Sequence, residues 1–209
     1  MKFSQEIISI LEERVKKRMS EKRFRHTRSV VFAVQRIGRY FEDLDLSELC
    51  AAALLHDITK ELSVDEQIRL LIDGGFVISD EDMESPQIFH SFSAPIIIKS
   101  DFPKFATESV LSAVKNHTLG SPDMTVFDEI IFISDYIEDL RTYDSCIEVR
   151  KKLYDALSHE NTVKQNVIAL HEAVLSALIF TEKEVLKRGI TFNSRSKKTK
   201  DYFYRLLSN

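Results

Sequence analysis

The sequence predicts an all-α protein. Glycine occurs five times and proline four times in 209 residues, so few positions favour the tight turns that join strands. Few stretches alternate apolar and polar residues with a period of two, whereas apolar residues often recur three and four positions apart, which places them on one helix face. A chain of this length buries about 70% of its unfolded surface, so one helical core can form without disulfide bonds or structural metals.

Apolar spacing and capping residues place four helices in the first half of the chain. Two stripes predict the first two helices: Ile7, Ile8, Leu11 and Val15, then Phe24, Thr27, Val31, Val34, Ile37 and Phe41. The Ala-rich run Cys50–Leu55 predicts a third helix that ends at His56-Asp57. Ser63-Val-Asp-Glu66 has the spacing of a capping box, and Gly74-Gly75 ends the helix that this box begins.

The second half continues in the same way. Ser85-Pro86 puts proline at a helix start, and Thr125-Val-Phe-Asp128 resembles another cap. The apolar faces that follow these signals are Val110, Val114 and His117, then Ile130, Ile131, Ser134, Ile137 and Leu140. A long helix is predicted from about Thr162 to Arg188, ended by Gly189. We divide the chain into one domain, residues 1–189, and a basic tail, residues 190–209.

The tail and the charge pattern allow two interpretations. Residues 190–209 hold five basic residues and one acidic residue. Together with Ser, Thr and Asn, this composition is typical of a flexible end. A short amphipathic segment from Tyr202 to Leu207 lies near its end. Residues 1–28 hold nine basic and four acidic residues, and residues 42–84 hold two basic and thirteen acidic. These segments either form one positive pocket or are solvated helix faces.

Composition excludes several classes of protein. The net charge of −4 argues against general nucleic-acid binding. The longest apolar run, around Cys50–Leu55, is much shorter than the ~20 residues of a membrane span, and the first residues lack the apolar region of a signal peptide. Cys50 and Cys146 are the only cysteines, which favours reduced thiols. We therefore expect a cytoplasmic protein that binds neither nucleic acid nor membrane.

Histidine and aspartate residues form a candidate metal set. The set comprises His26, His56, Asp57, His90, His117 and Asp135. Taken singly, such a histidine is more often a hydrogen-bonded core residue, and such an aspartate is more often a helix cap. Together, imidazole nitrogen and carboxylate oxygen are ligands that suit iron, manganese, zinc or cobalt. Because the set contains no thiolate, it argues against a structural cysteine-type zinc site.

Four blocks of sequence resemble the HD superfamily of metal-dependent phosphohydrolases, in particular its YqeK-type branch. The blocks are Lys22–Arg28, Ala53–Lys60, Asn116–Met124 and Ser134–Arg141, and they occur in the family's order. The chain departs from the branch at Ser91, Ser134 and Asp139, where Gly, Ala and Pro are usual, and in its tail, which matches only faintly. The resemblance implies an HD-domain helical bundle that hydrolyses diadenosine tetraphosphate symmetrically to two ADP.

The resemblance also implies roles for individual residues. His26, His56, Asp57 and Asp135 would bind a metal ion, with iron favoured and Mn, Co, Zn or Mg also acceptable. Asp57, His90 and His117 are the candidate catalytic residues, and His90 and His117 would bind a second ion or contact the attacked phosphate. In this family the tail normally contributes to the nucleotide pocket, so residues 190–209 are candidates for that role.

A tetraphosphate needs cationic partners close to the metal. The candidates are Arg23, one turn before His26, together with Lys60 and Arg141, although each could instead form a surface ion pair. Thr118 can donate a hydroxyl hydrogen bond to the substrate.

The remaining aromatic and histidine residues have weaker candidate roles. Tyr136, Tyr143 and Phe192 could stack on adenine or belong to the core. His171 is expected in packing and His159 at the surface.

Two other functions remain open at this point. One is an HD-domain nucleotidase or phosphatase that acts on mononucleotides, and the other is a nucleotide-sensing module without catalysis. Loss of a metal ligand would indicate the sensing module, and the set retains all of its members. A homodimer is a further possibility, because symmetric dimers are the commonest oligomers.

Overall fold

The structure, a computed structural model, describes residues 1–208, and over this range it confirms the all-α prediction. Two 3₁₀ turns, Pro86–Ile88 and Pro103–Phe105, lie among the helices. The α-helices are α1 (Gln5–Lys16), α2 (Glu21–Gly38), α3 (Leu46–Leu55), α4 (Val64–Asp73), α5 (Asp80–Met83), α6 (Phe89–Asp101), α7 (Glu108–Asn116), α8 (Val126–Ile137), α9 (Asp144–Ala156), α10 (Val163–Lys187) and α11 (Ser194–Ser208).

Local sequence signals set most of these boundaries. Ser63 and Thr125 both form the predicted capping boxes, in which the hydroxyl accepts a hydrogen bond from the third helical N–H and the acidic side chain at that position bonds back. Thr162 caps α10 in the same way. Gly189 follows α10 at φ 71°, a left-handed conformation that favours glycine, so the predicted end of that helix is confirmed.

Helix α3 lies at the centre of the bundle. Every residue from Ser47 to Leu55 is buried, and α3 packs against α1, α2 and α7. Three consecutive alanines, Ala51–Ala53, allow these neighbours to approach closely on several sides. Because α3 ends inside the bundle, the next two residues lie in the protein interior: His56 and Asp57.

Helix α10 is the one described helix that is long and apolar enough, by length and composition, to cross a membrane. In this structure its apolar residues pack against other helices instead of lipid. Leu170, Val174 and Leu178 are buried where α10 contacts α8, α9 and α11. The apolar character of α10 therefore matches its place in the helical core.

The prediction of a flexible basic end was wrong for most of the tail, which forms α11. Ser196, Thr199 and Phe203 share one face of this helix and are buried. The sequence does not reveal this face, because two of these three residues are polar. The Ser196 hydroxyl donates to the carbonyl oxygen of Leu119 at 3.0 Å, so α11 is attached directly to the loop that follows α7.

The close approach of α11 explains a glycine in that loop. Gly120 has φ 69°, and a Cβ atom at this position would lie 2.8 Å from Cγ2 of Thr199. A larger residue would therefore be strained in its backbone and would push α11 away. Since this loop begins just after His117, the packing of α11 supports the interior site from outside.

Truncation of Phe203 should weaken this attachment. Phe203 is 1% exposed and lies against the ring of His171 on α10. We expect Phe203→Ala to lower the free energy of unfolding by about 3–5 kcal/mol, because it leaves a cavity under α11. The neighbouring Tyr204 is 63% exposed, so Tyr204→Ala is the matched control and should change stability by no more than about 0.5 kcal/mol. Chemical denaturation measures both, and equal losses would contradict this view of α11.

Candidate metal centre

The predicted His/Asp set lies together where five helices meet. His26 lies in the middle of α2, and Asp135 lies near the end of α8. His56 and His117 are the C-terminal caps of α3 and α7. His90 lies in the first turn of α6. Asp57, next to His56, lies among all of these side chains, so residues far apart in the sequence form a single cluster.

The first ligand group surrounds one carboxylate oxygen of Asp57. Oδ2 of Asp57 lies 3.6 Å from Nε2 of His26 and 3.4 Å from Nε2 of His56. Oδ1 of Asp135 lies 3.1 Å from Nε2 of His26. The side chains of His56 and Asp57 are almost fully buried, and Asp135 is 20% exposed. These four residues therefore place nitrogen and oxygen donors around one point.

Asp57 faces a second group through its other oxygen. Oδ1 of Asp57 lies 3.3 Å from Nε2 of His90 and 3.8 Å from Nε2 of His117. The two Nε2 atoms are 3.0 Å apart, and the hydroxyl oxygen of Thr118 is 3.1 Å from each. The cluster thus has two donor groups that share the carboxylate of Asp57.

Backbone carbonyl oxygens orient three of the four imidazole rings. Nδ1 of His56 donates to the carbonyl of Ala53 at 2.7 Å, and Nδ1 of His117 donates to that of Val114 at 2.6 Å. Nδ1 of His90 likewise donates to the carbonyl of Gln87 at 2.8 Å. Because a carbonyl oxygen can only accept, each of these rings carries its proton on Nδ1 and presents the lone pair of Nε2 to the cluster.

His26 is oriented by a carboxylate instead. Its Nδ1 lies 3.3 Å from Oε1 of Glu138, a residue that sequence analysis did not single out. Glu138 is 2% exposed, and its other oxygen accepts a hydrogen bond from the backbone N–H of Leu140 at 2.7 Å. A carboxylate that accepts from a ligand histidine fixes the ring and increases its basicity, which is a common feature of metal sites.

The donor atoms fit a metal ion. Nε2 of His26 and Nε2 of His56 are buried and have no hydrogen-bond partner among the described residues. A buried polar atom without a partner is costly, so these lone pairs require a ligand. Nitrogen and oxygen donors in this mixture suit a divalent transition metal, and no cysteine belongs to the groups. His26, His56, Asp57 and Asp135 are the residues that would bind it.

The electrostatics of the site also favour a cation. Burial acts to raise the pKa of Asp57, but the neighbouring histidines His56 and His117 outweigh it and hold that pKa well below its usual range. Burial likewise opposes protonation of His26, but the carboxylates of Asp135 and Glu138 outweigh it and raise the pKa of His26 to about 9. The carboxylates therefore give the cluster a negative potential, which favours a cation.

Two of the three predicted cations contact the carboxylates that would bind a metal ion. Arg23 contacts Oδ2 of Asp57 at 2.7 Å, and Arg141 contacts Oδ1 of Asp135 at 2.8 Å. Lys60 donates to the carbonyl of Gln87 at 3.2 Å and lies beside the ring of His90, and burial lowers its pKa. All three cations thus border the cluster.

His26 is the member of the cluster that lines a polar cavity of about 700 Å³. His26 and Glu138 line its inner end, and its cations are Lys22, Arg23, Arg25 and Arg141. Lys22 and Arg25 are exposed and were not singled out from the sequence, although both belong to the basic block 22–28. An anion that enters this cavity meets several positive side chains before it reaches the donor groups.

Other candidate residues lie away from the cluster. His159 is exposed and stacks on Tyr40, and His171 contacts Glu129 at 2.8 Å, so neither belongs to the site. Phe192 packs against the core. Tyr143 lines the cationic cavity, and Tyr136 lies next to Arg141 in a neighbouring cavity.

Loss of the Glu138 charge should weaken metal binding. We expect Glu138→Gln to reduce affinity for Mn²⁺ about tenfold to a hundredfold, because the carboxylate no longer supports the ring of His26. The adjacent acid Asp139 is 72% exposed, so Asp139→Asn is the matched control and should leave affinity unchanged. Calorimetric titration with Mn²⁺ measures both variants. Equal affinities in the two variants would show that Glu138 does not support the site.

Known proteins resemble this chain in sequence over most of its length. A relative from Halalkalibacterium halodurans is 29% identical over 176 residues, which cover 84% of this chain and 85% of the relative. One from Bacillus subtilis is 26% identical over 171 residues, 81% of this chain and 85% of the relative. Both are named bis(5'-nucleosyl)-tetraphosphatase, symmetrical.

The fold also matches a solved structure. A crystal structure from Clostridium acetobutylicum, described as a predicted HD superfamily hydrolase involved in NAD metabolism, has a TM-score of 0.82 at 24% identity and covers 95% of this chain and 97% of its own. The sequence profile of the HD domain matches residues 23–140, which include His26, the His56-Asp57 pair and Asp135. The chain belongs to the HD domain family.

Proposed function

We propose that this protein is a metal-dependent hydrolase that cleaves diadenosine tetraphosphate symmetrically to two ADP. The observation that carries the proposal is a buried His/Asp cluster whose His26 lines a cavity with four cationic side chains. The names of the relatives from Bacillus subtilis and Halalkalibacterium halodurans support the same substrate, and each relative aligns over more than four fifths of its length.

The nitrogen and oxygen donors of the site suit a metal ion. His26, His56, Asp57 and Asp135 would hold a metal ion, which when bound would lower the pKa of a water and withdraw charge from a phosphoryl oxygen. Iron is favoured by the family resemblance, and Mn, Co, Zn or Mg would also accept nitrogen and oxygen ligands. The chain's own part is to orient the imidazoles through backbone carbonyls and Glu138, so that the donor atoms converge without rearrangement.

Asp57 supports a second ion. Its Oδ1 faces His90 and His117, whose Nε2 lone pairs would otherwise lie 3.0 Å apart beside an anionic oxygen. A cation at this group would relieve that repulsion. In the proposal His90 and His117 would hold a second ion together with Asp57, which also belongs to the first donor group.

The cationic cavity accounts for recognition of the phosphate chain. A bridging tetraphosphate carries about four negative charges, which require charge-assisted hydrogen bonds. Arg23 and Arg141 lie next to the donor groups, and Lys22 and Arg25 lie further out along the same cavity. Thr118, within 3.1 Å of both His90 and His117, can donate its hydroxyl to a phosphate oxygen there.

The products follow from the position of attack. Water bonds to one of the two inner phosphorus atoms, the bond from that atom to the central bridging oxygen breaks, and a proton passes to the departing phosphate. Two ADP molecules result only when this central bridge is the one that breaks. The spacing of the cations along the cavity must therefore place the middle of the chain at the cluster.

A product assay tests the proposal. The purified protein is incubated with diadenosine tetraphosphate, with and without chelator, and the nucleotides are separated by chromatography. We expect ADP alone, its loss with chelator, and its recovery after a divalent ion is added. ATP plus AMP would contradict the symmetrical position of attack. Absence of any product from metal-loaded protein would contradict the proposed substrate and favour a mononucleotide phosphatase or a sensor.

The position of Asp57 in both donor groups gives a second prediction. Asp57→Ala should remove bound metal and reduce turnover at least about a hundredfold, because the transition state loses its main electrostatic support. The circular dichroism spectrum of the variant should still show the helical content of the wild type. Asp123 is exposed, so Asp123→Ala is a suitable control that should keep metal and activity. An Asp57→Ala protein that retains both its metal and its turnover would show that the site lies elsewhere.

A further inference from the structure

A second cavity adjoins the cationic one. It has a volume of about 500 Å³, within the range of about 300–1,000 Å³ typical of small-molecule sites. Its walls come from the end of α8, the start of α9 and the second half of α10. Of the residues assigned to the cluster and to phosphate binding, only Arg141 lines this space.

Arg141 and Tyr143 belong to both cavities. Because the guanidinium of Arg141 contacts Oδ1 of Asp135 at 2.8 Å, the junction between the cavities lies beside a proposed metal ligand. Tyr136 directly follows Asp135 on α8, and successive helical residues point about 100° apart. One helix therefore presents Asp135 to the cluster and Tyr136 to the second cavity.

The side chains of the second cavity differ in kind from those of the first. Three aromatic rings line it, from Tyr136, Tyr143 and Phe180. Tyr136 and Phe180 are half-buried, whereas Tyr143 is 66% exposed at the entrance. Aromatic rings bind flat heterocycles by stacking, and they do so for any base because every base has a π face.

Acidic and hydroxyl groups complete the wall. Asp144 and Glu184 lie at the rim, with Thr181 beside Phe180 on α10. A carboxylate repels phosphate but accepts hydrogen bonds from ribose hydroxyls. Cations therefore dominate the cavity next to the cluster. The one beyond Arg141 has three aromatic rings and balanced charges, with Arg188 lying 3.7 Å from Glu184.

We infer that this second cavity, called here the nucleoside cavity and lined by Tyr136, Tyr143, Asp144, Phe180, Thr181 and Glu184, binds the base and ribose of one nucleoside of the substrate. Arg141 lies where the phosphate chain passes from the cluster into the nucleoside cavity. The inference rests on the proposed function for the identity of the substrate. The cavity itself predicts binding of a nucleoside phosphate whether or not a tetraphosphate is hydrolysed.

Comparison of two ligands that share a diphosphate tests the inference. ADP and inorganic pyrophosphate are titrated separately into the metal-loaded protein by calorimetry. We expect ADP to bind more tightly than pyrophosphate. Phe180→Ala should weaken ADP about tenfold or more, as removal of one stacking ring does, and should leave pyrophosphate affinity unchanged. Tyr143→Ala, at an exposed position that folding does not require, should act in the same direction.

The control is an aromatic residue outside both cavities. Phe32 on α2 is 56% exposed, and Phe32→Ala should change neither affinity. The inference is overturned if the wild type binds the two ligands equally, if both cavity variants bind ADP normally, or if they lose ADP and pyrophosphate to the same degree. Failure of diadenosine tetraphosphate hydrolysis would instead contradict the proposed function, since the comparison of ADP with pyrophosphate requires no turnover.

Discussion

The buried carboxylate of Asp57 is the group on which the rest of the site depends. An ionised carboxylate in a protein interior is costly unless charges and hydrogen-bond donors surround it. Asp57 is 4% exposed, with Arg23 at 2.7 Å and four imidazole rings around it. Each of its oxygens faces a different pair of histidines, so one side chain sets the distance between two donor groups. The bundle therefore has to hold all five of these partners in place around one charge.

Helix ends supply much of that constraint. The last carbonyl groups of a helix have no partner within the helix, so they accept hydrogen bonds from other groups. At the ends of α3 and α7, His56 and His117 each turn back to the carbonyl three residues earlier. His90 makes the same bond to Gln87, within the short turn that precedes α6. One bond thus satisfies a free carbonyl and fixes a ring, which couples the packing of the fold to the geometry of the site.

The sequence predicted what local spacing and family resemblance determine. Caps at Ser63 and Thr125 and the end of α10 at Gly189 depend on residues within one or two turns, and the structure confirms them. The role of Glu138 was not predictable in this way, because its partner His26 lies 112 residues earlier in the chain. The inward face of α11 was missed because Ser196 and Thr199 are polar and become buried only through contacts with the loop after α7.

The net charge of the chain differs in sign from the local charge of the cavity beside the cluster. A net charge of −4 argues against broad binding of polyanions, yet the cavity beside the cluster holds four cations against the acids Glu61 and Glu138. Exposed charges more than about 8 Å apart are largely screened at physiological ionic strength. Acidic residues of segment 42–84 that lie more than about 8 Å from the cationic cavity therefore contribute little to the electrostatic potential inside it. Binding of one short polyanion is thus compatible with an acidic protein, because the positive side chains are concentrated where the donor groups open to solvent.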